Sequence, residues 1–510
     1  MAGSRELPAG RRAVSLGVLV ALAFNSVLAD ELSRHLAAEP EGDATVETVD
    51  PPQAEPGQQE QQEECEPEQV HLALARTDPY VELTVQWATG SRCVKSATLF
   101  GTDPAAGLNI TVEAHTWRHA EGNELGRQWL HRSRIVPEVE KQCFYQVCSS
   151  HACSKTFWTN TQKLLSGQDG SPLKFLFFGD LGLASGRATI ARLHQAAQTG
   201  EYVAMFHVGD IAYDLHDEGG RRGDRFLREM EGAAAYLPYM TAPGNHELFH
   251  QFHPYMNRFS MPVPAPDAVE FVGVPEGEVP AGDAASCWPR PMTRVATQYE
   301  PLFYSMDIGL VHVIAYDTES LFMRPYLRST TRQWLQRDLA AANRRRKQVP
   351  WIVAFGHRPM YCSNLADNGC NHMKPNVRVE FEKIFFDGGV DLILEGHEHS
   401  YERFYPTYNR TLYQTDYRNP RAPVHIITGQ TGCSETFLHL CTNPILRSGY
   451  DWSAYRSWLP GLNGYGRLTV MNHTHLVWEQ VLDHFFQVTL DQIVIEQNHH
   501  GAFTDKLNEQ

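Results

Sequence analysis

Five short blocks of this 510-residue chain join a glycine to side chains able to hold a metal ion: Gly179-Asp180, Gly209-Asp210, Gly244-Asn245-His246-Glu247, Gly356-His357 and Gly396-His397-Glu398-His399. Singly, each is weak. A Gly-Asp pair is most often a turn, and a buried histidine is more often a satisfied core residue than a ligand, which is also the reading for His207, His216, His250 and His253. Together the blocks offer two carboxylates, one amide oxygen and three imidazoles, a mixed set that suits zinc, manganese or iron rather than an all-oxygen calcium cage. So many ligands exceed what one catalytic ion with an open position takes. They predict two ions about 3.5–4 Å apart that share a carboxylate and clamp both the attacking and the leaving oxygen of a displacement.

The surrounding sequence supplies elements that can gather these blocks. Short, nearly continuous apolar runs at 174–178, 202–208, 310–315, 350–355 and 391–394 read as buried strands, with helical patterns at 188–198 and 331–343 between them. Buried strands alternating with helices mean a layered α/β domain, and in such folds ligands collect at the carboxyl ends of the strands. Four of the blocks follow such a strand directly, and glycine lets the turning backbone approach a bound ion. Upstream, residues 70–74 and 81–87 alternate apolar and polar, with Leu83, Val85 and Trp87 on one face, and further strand-like runs occur at 97–100, 110–114 and 144–147. These half-buried strands predict a β-sandwich domain over 70–166, followed by the α/β domain at 172–485 and a tail at 486–510. Residues 263–298, rich in Pro, Gly, Ala and acids, read as a surface insertion, and the run at 344–347 as a solvated helix end.

The net charge of −16 excludes a basic phosphate-backbone binder, so no nucleic-acid partner is expected. It is unevenly spread: residues 1–29 carry +2 and residues 30–69 carry −12, which leaves −6 for the other 441. Arg5, Arg11 and Arg12, an apolar run at 13–24 and small residues at Val27 and Ala29 read as a secretory signal cleaved after Ala29, its apolar run too short for a membrane span. Residues 30–69, almost without aromatics, are expected to be a disordered acidic leader. Glycosylation triplets at Asn109, Asn409 and Asn472 and ten cysteines agree with secretion into an extracellular or lysosomal compartment. The expected disulfide partners are Cys362/Cys370, Cys433/Cys441 and the group Cys143, Cys148 and Cys153, while Cys65 and Cys287 have no obvious mate.

In order and content the five blocks resemble those of the calcineurin-like metallophosphoesterases, and within them the purple acid phosphatases. Gly179-Asp-Leu-Gly182 has glycine where most relatives carry a metal-binding histidine, and Tyr213 follows Asp210 by three residues. Gly356-His-Arg-Pro-Met-Tyr361, His397-Glu-His-Ser-Tyr-Glu-Arg403 and Pro423-Val-His-Ile-Ile-Thr-Gly429 complete a likeness that runs from about residue 68 to 482. It is similar to the long, plant-type branch and its animal iron/zinc members. The resemblance implies a metallophosphoesterase domain with a β-sandwich core flanked by helices, a C-terminal family segment at about 420–485 and a fibronectin III-like domain in front. It further implies that Asp180, Tyr213 and His399 hold Fe(III), that Asp210 bridges, and that Asn245, His357 and His397 hold a divalent zinc, iron or manganese ion. A hard trivalent ion favours phenolate and carboxylate oxygen, and the borderline divalent ion favours imidazole.

The implied reaction is hydrolysis of a small phosphate monoester by a metal-bound hydroxide, with His246 as donor to the transferring group. Plant members carry two adjacent histidines after the fourth block; this chain has the single His372, the expected leaving-group acid, on a loop closed by Cys362 and Cys370. A phosphodiesterase or nucleotidase on the same fold and a non-catalytic secreted binding protein are the alternatives. Some relatives dimerise, but no apolar stripe in this sequence argues for a homodimer.

Overall fold

The computed structural model describes residues 64–77, 80–121, 124–139, 141–150, 152–165, 171–259, 302–323, 325–363, 370, 376–432, 449–457, 462–483 and 487–504. The signal, the leader to residue 63, the 263–298 insertion, Cys287, His372, Cys433 and Cys441 lie outside these.

Nine strands build the N-terminal part: β1 (Glu68–Arg76), β2 (Glu82–Thr89), β3 (Ser96–Gly101), β4 (Ile110–Glu113), β5 (His115–Glu121), β6 (Glu124–Ile135), β7 (Cys143–Ser149), β8 (Ala152–Cys153) and β9 (Phe157–Thr159). One antiparallel sheet has the order β1-β2-β6-β5; the other is β4-β3-β7-β8, with β9 also paired to β7. Hydroxyl and indole groups tie the two together, Trp87 Nε1 donating to Ser149 Oγ at 3.0 Å and Thr98 Oγ1 meeting Ser133 Oγ at 2.6 Å. Every expected strand forms, but β5 and β6 carry too many charged and polar residues to show as apolar runs.

One boundary and one burial expectation are corrected, and the cysteine pairing is resolved. Ordered chain begins earlier than residue 70, because Cys65 is bonded to Cys93 and β1 starts at Glu68. β1 is buried on both faces rather than one, since it packs on the helix Arg221–Ala234 and on a strand of the next domain as well as on β2. Of the cysteine group, Cys148 pairs with Cys153 and Cys143 stays a buried thiol, whereas Cys362–Cys370 forms as expected.

The second domain is two mixed sheets. Strands β10 (Leu173–Phe178), β11 (Ala204–Val208) and β12 (Tyr239–Ala242) run parallel, joined through the helices Arg187–Gln198 and Arg221–Ala234. Strands β13 (Tyr304–Ile308), β14 (Val311–Ala315), β15 (Trp351–Gly356), β16 (Leu392–Glu395) and β17 (Tyr401–Phe404) belong to the other sheet. After the short hairpin of β18 (Thr407–Tyr408) and β19 (Thr411–Leu412) come β20 (Val424–Thr428), β21 (Ser453–Arg456), β22 (Gly464–Val470), β23 (His475–Leu482) and β24 (Thr489–Glu496). The sheet orders are β12-β11-β10-β22-β23-β24 and β13-β14-β15-β16-β20-β17-β21. Aromatic rings interlock between them: Phe177 lies 6.0 Å from Phe355, and Phe206 lies 5.2 Å from the same ring. The helix pairs Arg187–Gln198 with Arg221–Ala234 and Pro325–Arg344 with Val377–Gly388 complete the layers. The sheet continues past the expected end at 485: β24 pairs with β23 and buries Ile495, and Phe503 beyond it is fully buried.

The two domains meet through a dense polar seam. His71 Nε2 and Gln86 Nε2 both reach the Arg258 carbonyl, at 2.9 and 3.0 Å. The Arg258 guanidinium, 2% exposed, holds Asp224 and the Gly220 carbonyl. Tyr145 donates to the Ala235 carbonyl, and the Val70 amide donates to Glu231.

Candidate metal centre

All the ligand-bearing turns lie at one end of the second domain. β10 runs into Asp180, β11 into Asp210, β15 into His357 and β16 into His397 and His399, and Asn245 opens a short 3-10 turn just after β12. Parallel neighbours put these ends side by side, and the turns are laced: the Asp180 amide donates to the Gly209 carbonyl, and the Gly396 amide to the His357 carbonyl.

The side chains converge as two clusters. In the first, the Tyr213 hydroxyl lies 2.8 Å from His399 Nε2 and 3.4 Å from Asp180 Oδ1, and His399 Nε2 lies 3.5 Å from that same oxygen. In the second, His357 Nε2 faces Asn245 Oδ1 at 3.1 Å, Asp210 Oδ2 at 3.2 Å and His397 Nδ1 at 3.2 Å. Asp210 is close enough to both that it completes either group.

A metal fits this donor set better than protons do. His357 Nε2 carries at most one hydrogen, so of Asn245 Oδ1 and Asp210 Oδ2 at least one faces it with no proton between them. Donors about 2.1 Å from a shared cation are themselves about 3.0–3.4 Å apart, the spacing found here. The backbone agrees. Asp180, Asp210, Tyr213 and His397 have φ of 58°, 51°, 45° and 68°, a left-handed region that side-chain-bearing residues avoid and that gathers at functional sites. Burial opposes ionisation of Asp210, yet the imidazoles of His357, His246 and His397 hold it well below the usual carboxylate range. Burial likewise opposes charge on His357, but Asp210, with Asp180 and Glu319 behind it, outweighs burial and pushes it up to about 10.

The glycines make room between the turns. A Cβ at Gly209, which has φ of 82°, would strike the His357 ring, and one at Gly396 would lie 2.7 Å from Asp180 Oδ2. Their bareness lets ligand-bearing side chains of neighbouring turns pack together.

His246 stands at the rim. Its amide donates to Asp210 Oδ1 at 3.0 Å, its ring lies 4.6 Å from that of Tyr213, and Nδ1 sits 2.6 Å from Asp214 Oδ1. Nε2 is thereby left 4.0 Å from Asp210 Oδ2. His207 is a core residue, bonded to Tyr239 and brought down to about 3 by burial.

Several supporting residues escape a sequence reading. Buried Glu247 accepts from the amides of Gly244, Asp210 and Ile211 at 2.8, 3.0 and 2.9 Å, clamping two ligand turns together; burial, then Asp210, raises it to about 7. Arg358, braced by Glu319 at 2.8 Å, places Nη1 3.0 Å from His397 Nε2. Asp214, Glu319 and Arg358 are ordinary charged residues in sequence. Glu247 alone carried a signal, its place in the third block.

Comparison with known proteins agrees with this geometry. Residues 173–401 match the calcineurin-like phosphoesterase family, and residues 422–492 match the C-terminal family of iron/zinc purple acid phosphatase-like proteins. Acid phosphatase type 7 of Danio rerio is 33% identical over 473 residues, 86% of this chain and 92% of its own. Acid phosphatase type 7 of Homo sapiens is 36% identical over 435 residues, covering 82% and 88%. The chain therefore belongs to the acid phosphatase type 7 family of purple acid phosphatase-like proteins. A purple acid phosphatase from yellow lupin seeds shares the fold, with a TM-score of 0.64 at 18% identity over 85% of this chain and 75% of that one.

Proposed function

We propose that this protein is an acid phosphatase that hydrolyses phosphate monoesters at a dinuclear centre. The observation that carries this reading is the pair of donor clusters sharing Asp210. Asp180, Tyr213 and His399 would hold Fe(III), and Asn245, His357 and His397 a divalent zinc, iron or manganese ion. When bound, the two ions supply Lewis acidity to the phosphate oxygens and activate water for in-line attack. His246 directs Nε2 toward the shared carboxylate because Asp214 holds Nδ1, so the imidazole is placed to donate to the transferring group or the departing oxygen. Glu247 keeps the turns of Asp210 and Asn245 in register. His372 remains the proposed leaving-group acid; Cys370, two residues before it, is buried and tied to Cys362.

The N-terminal sandwich is proposed as a fibronectin III-like brace. Three disulfides and exposed Asn109, Asn409 and Asn472 support passage through the secretory pathway. Among the described residues, no helix is long and apolar enough to cross a membrane.

The test is hydrolysis of an aryl phosphate at pH 5 together with the visible spectrum. Activity accompanied by a phenolate-to-Fe(III) absorption band that disappears in Tyr213→Phe is expected. A metal-loaded protein with neither activity nor band would overturn the reading.

A further inference from the structure

The group behind a ligand tunes how strongly it binds, and behind His397 that group is a cation. We infer that Arg358 is a positioning residue that holds down the affinity of the second cluster for its divalent ion, so that a neutral acceptor in its place tightens the site. This deepens the dinuclear reading above and rests on it.

Arg358 follows the expected ligand His357 directly and is only 6% exposed. Its amide donates to Thr318 Oγ1 at 3.1 Å, and Nε donates to both oxygens of Glu319 at 2.8 and 2.9 Å. The guanidinium lies 4.7 Å from the centre of the Phe322 ring. So braced, Nη1 meets His397 Nε2 at 3.0 Å. Glu319 is itself fully buried and accepts from Thr318 Oγ1 at 3.0 Å, which ties the brace to the turn after β14.

A guanidinium has no lone pair, so His397 Nε2 is the acceptor of this bond. A neutral imidazole so engaged carries its one hydrogen on Nδ1, and Nδ1 is the atom that faces His357 Nε2 across the second cluster at 3.2 Å. An ion bound there must displace that hydrogen to solvent. The usual arrangement behind a histidine ligand is the reverse: a carboxylate or carbonyl takes the hydrogen of the outer nitrogen, fixes the tautomer and makes the ring a stronger ligand. Charge acts in the same direction. His357, Arg358 and Glu319 are buried, so little water screens a positive group that stands one imidazole away from the ion. Glu319 offsets part of that charge, but the guanidinium is the member of the pair in contact with the ligand.

The readout is metal retention rather than turnover. Full-length protein loaded with iron and zinc is dialysed against buffers of falling free zinc, and the ions kept per chain are counted by elemental analysis. Arg358→Gln removes the charge and presents an amide oxygen able to accept from Nε2, so half-loss of zinc should move to about 10–100-fold lower free zinc than in wild type. Arg358→Lys keeps the charge and should shift far less. Glu319→Gln combined with Arg358→Gln leaves no buried carboxylate without its cation, and so covers the case in which the single variant fails to fold; it too should keep zinc to lower concentrations than wild type. Zinc lost from the glutamine variants at equal or higher free concentration, as a purely structural brace would give, or an equal shift in the lysine variant, would overturn the inference. Wild type that never holds two ions would overturn the dinuclear reading and this inference with it. Two ions held with unchanged affinity in every variant would leave that reading standing and remove only the role of Arg358.

Discussion

His312 and His357 are both buried beside aspartates, and only His357 faces the converging donors of the candidate metal centre. His312 on β14 has Asp307 Oδ1 2.6 Å from Nδ1 and Asp338 Oδ2 2.9 Å from Nε2. Those carboxylates are themselves served, Asp307 by Arg345 and Asp338 by the Ser305 hydroxyl. Burial disfavours charge on His312, but the two aspartates outweigh it and raise it to about 9. His357 is raised to about 10 by the same balance of burial against aspartate. By residue type and charge the two places look alike. What separates them is pairing: each nitrogen of His312 has its own acceptor, whereas one nitrogen of His357 is crowded by Asn245 Oδ1, Asp210 Oδ2 and His397 Nδ1 at 3.1, 3.2 and 3.2 Å. A completed ion-pair network stabilises by itself, and a set of converging donors needs a cation.

That contrast can be broken at either end. Asp210→Ala removes the carboxylate common to both clusters, so metal analysis should fall below one ion per chain and phosphatase activity should drop by about 10³-fold or more. Retention of two ions would show that Asp210 does not bridge. His312→Gln should leave metal content and activity intact yet lower unfolding stability by about 3–5 kcal/mol, because two buried carboxylates lose their shared partner. The pH dependence is a second reading of that network. Since the folded pKa of His312 is raised from 6.5 to about 9, its contribution is complete below pH 6.5 and is lost as pH rises through about 9. Denaturant titrations should show about 3 kcal/mol of this loss in wild type and none of it in His312→Gln. Glu247→Gln keeps the shape but puts an NH2 donor in place of one of the two oxygens that accept from three amides, and should cost about 10–100-fold in activity or metal affinity. Least affected should be Arg228→Ala. Its ion pair with Glu68 at 2.6 Å is partly solvated, and double-jump unfolding should detect less than about 1 kcal/mol.

The ligands were legible because the chain orders them for a reader. Asp180, Asp210, Asn245, His357 and His397 each follow a glycine directly, and their types name their chemistry. The residues that hold the ligands were not. Asp214 and Arg358 act through partners 32 and 39 residues away, and nothing local marks a carboxylate or guanidinium that will point inward. The Cys65–Cys93 bridge was missed for a related reason, since its 28-residue span joins what reads as leader to the turn between β2 and β3. The buried side of β1 was hidden likewise, because alternation reports one sheet face and says nothing of a helix arriving from 150 residues downstream.

Arg258 joins the domains from both its ends: the carbonyl receives His71 and Gln86 of the sandwich, and the guanidinium braces the helix that follows the Tyr213 turn. Inherited or engineered changes on the sandwich face, far along the chain from the expected ligands and without chemistry of their own, would thus present as enzyme deficiency. A catalogue of damaging variants in this family should include a seam of silent-looking positions such as His71 and Gln86, whose loss would be misread as a structural fault in an accessory module.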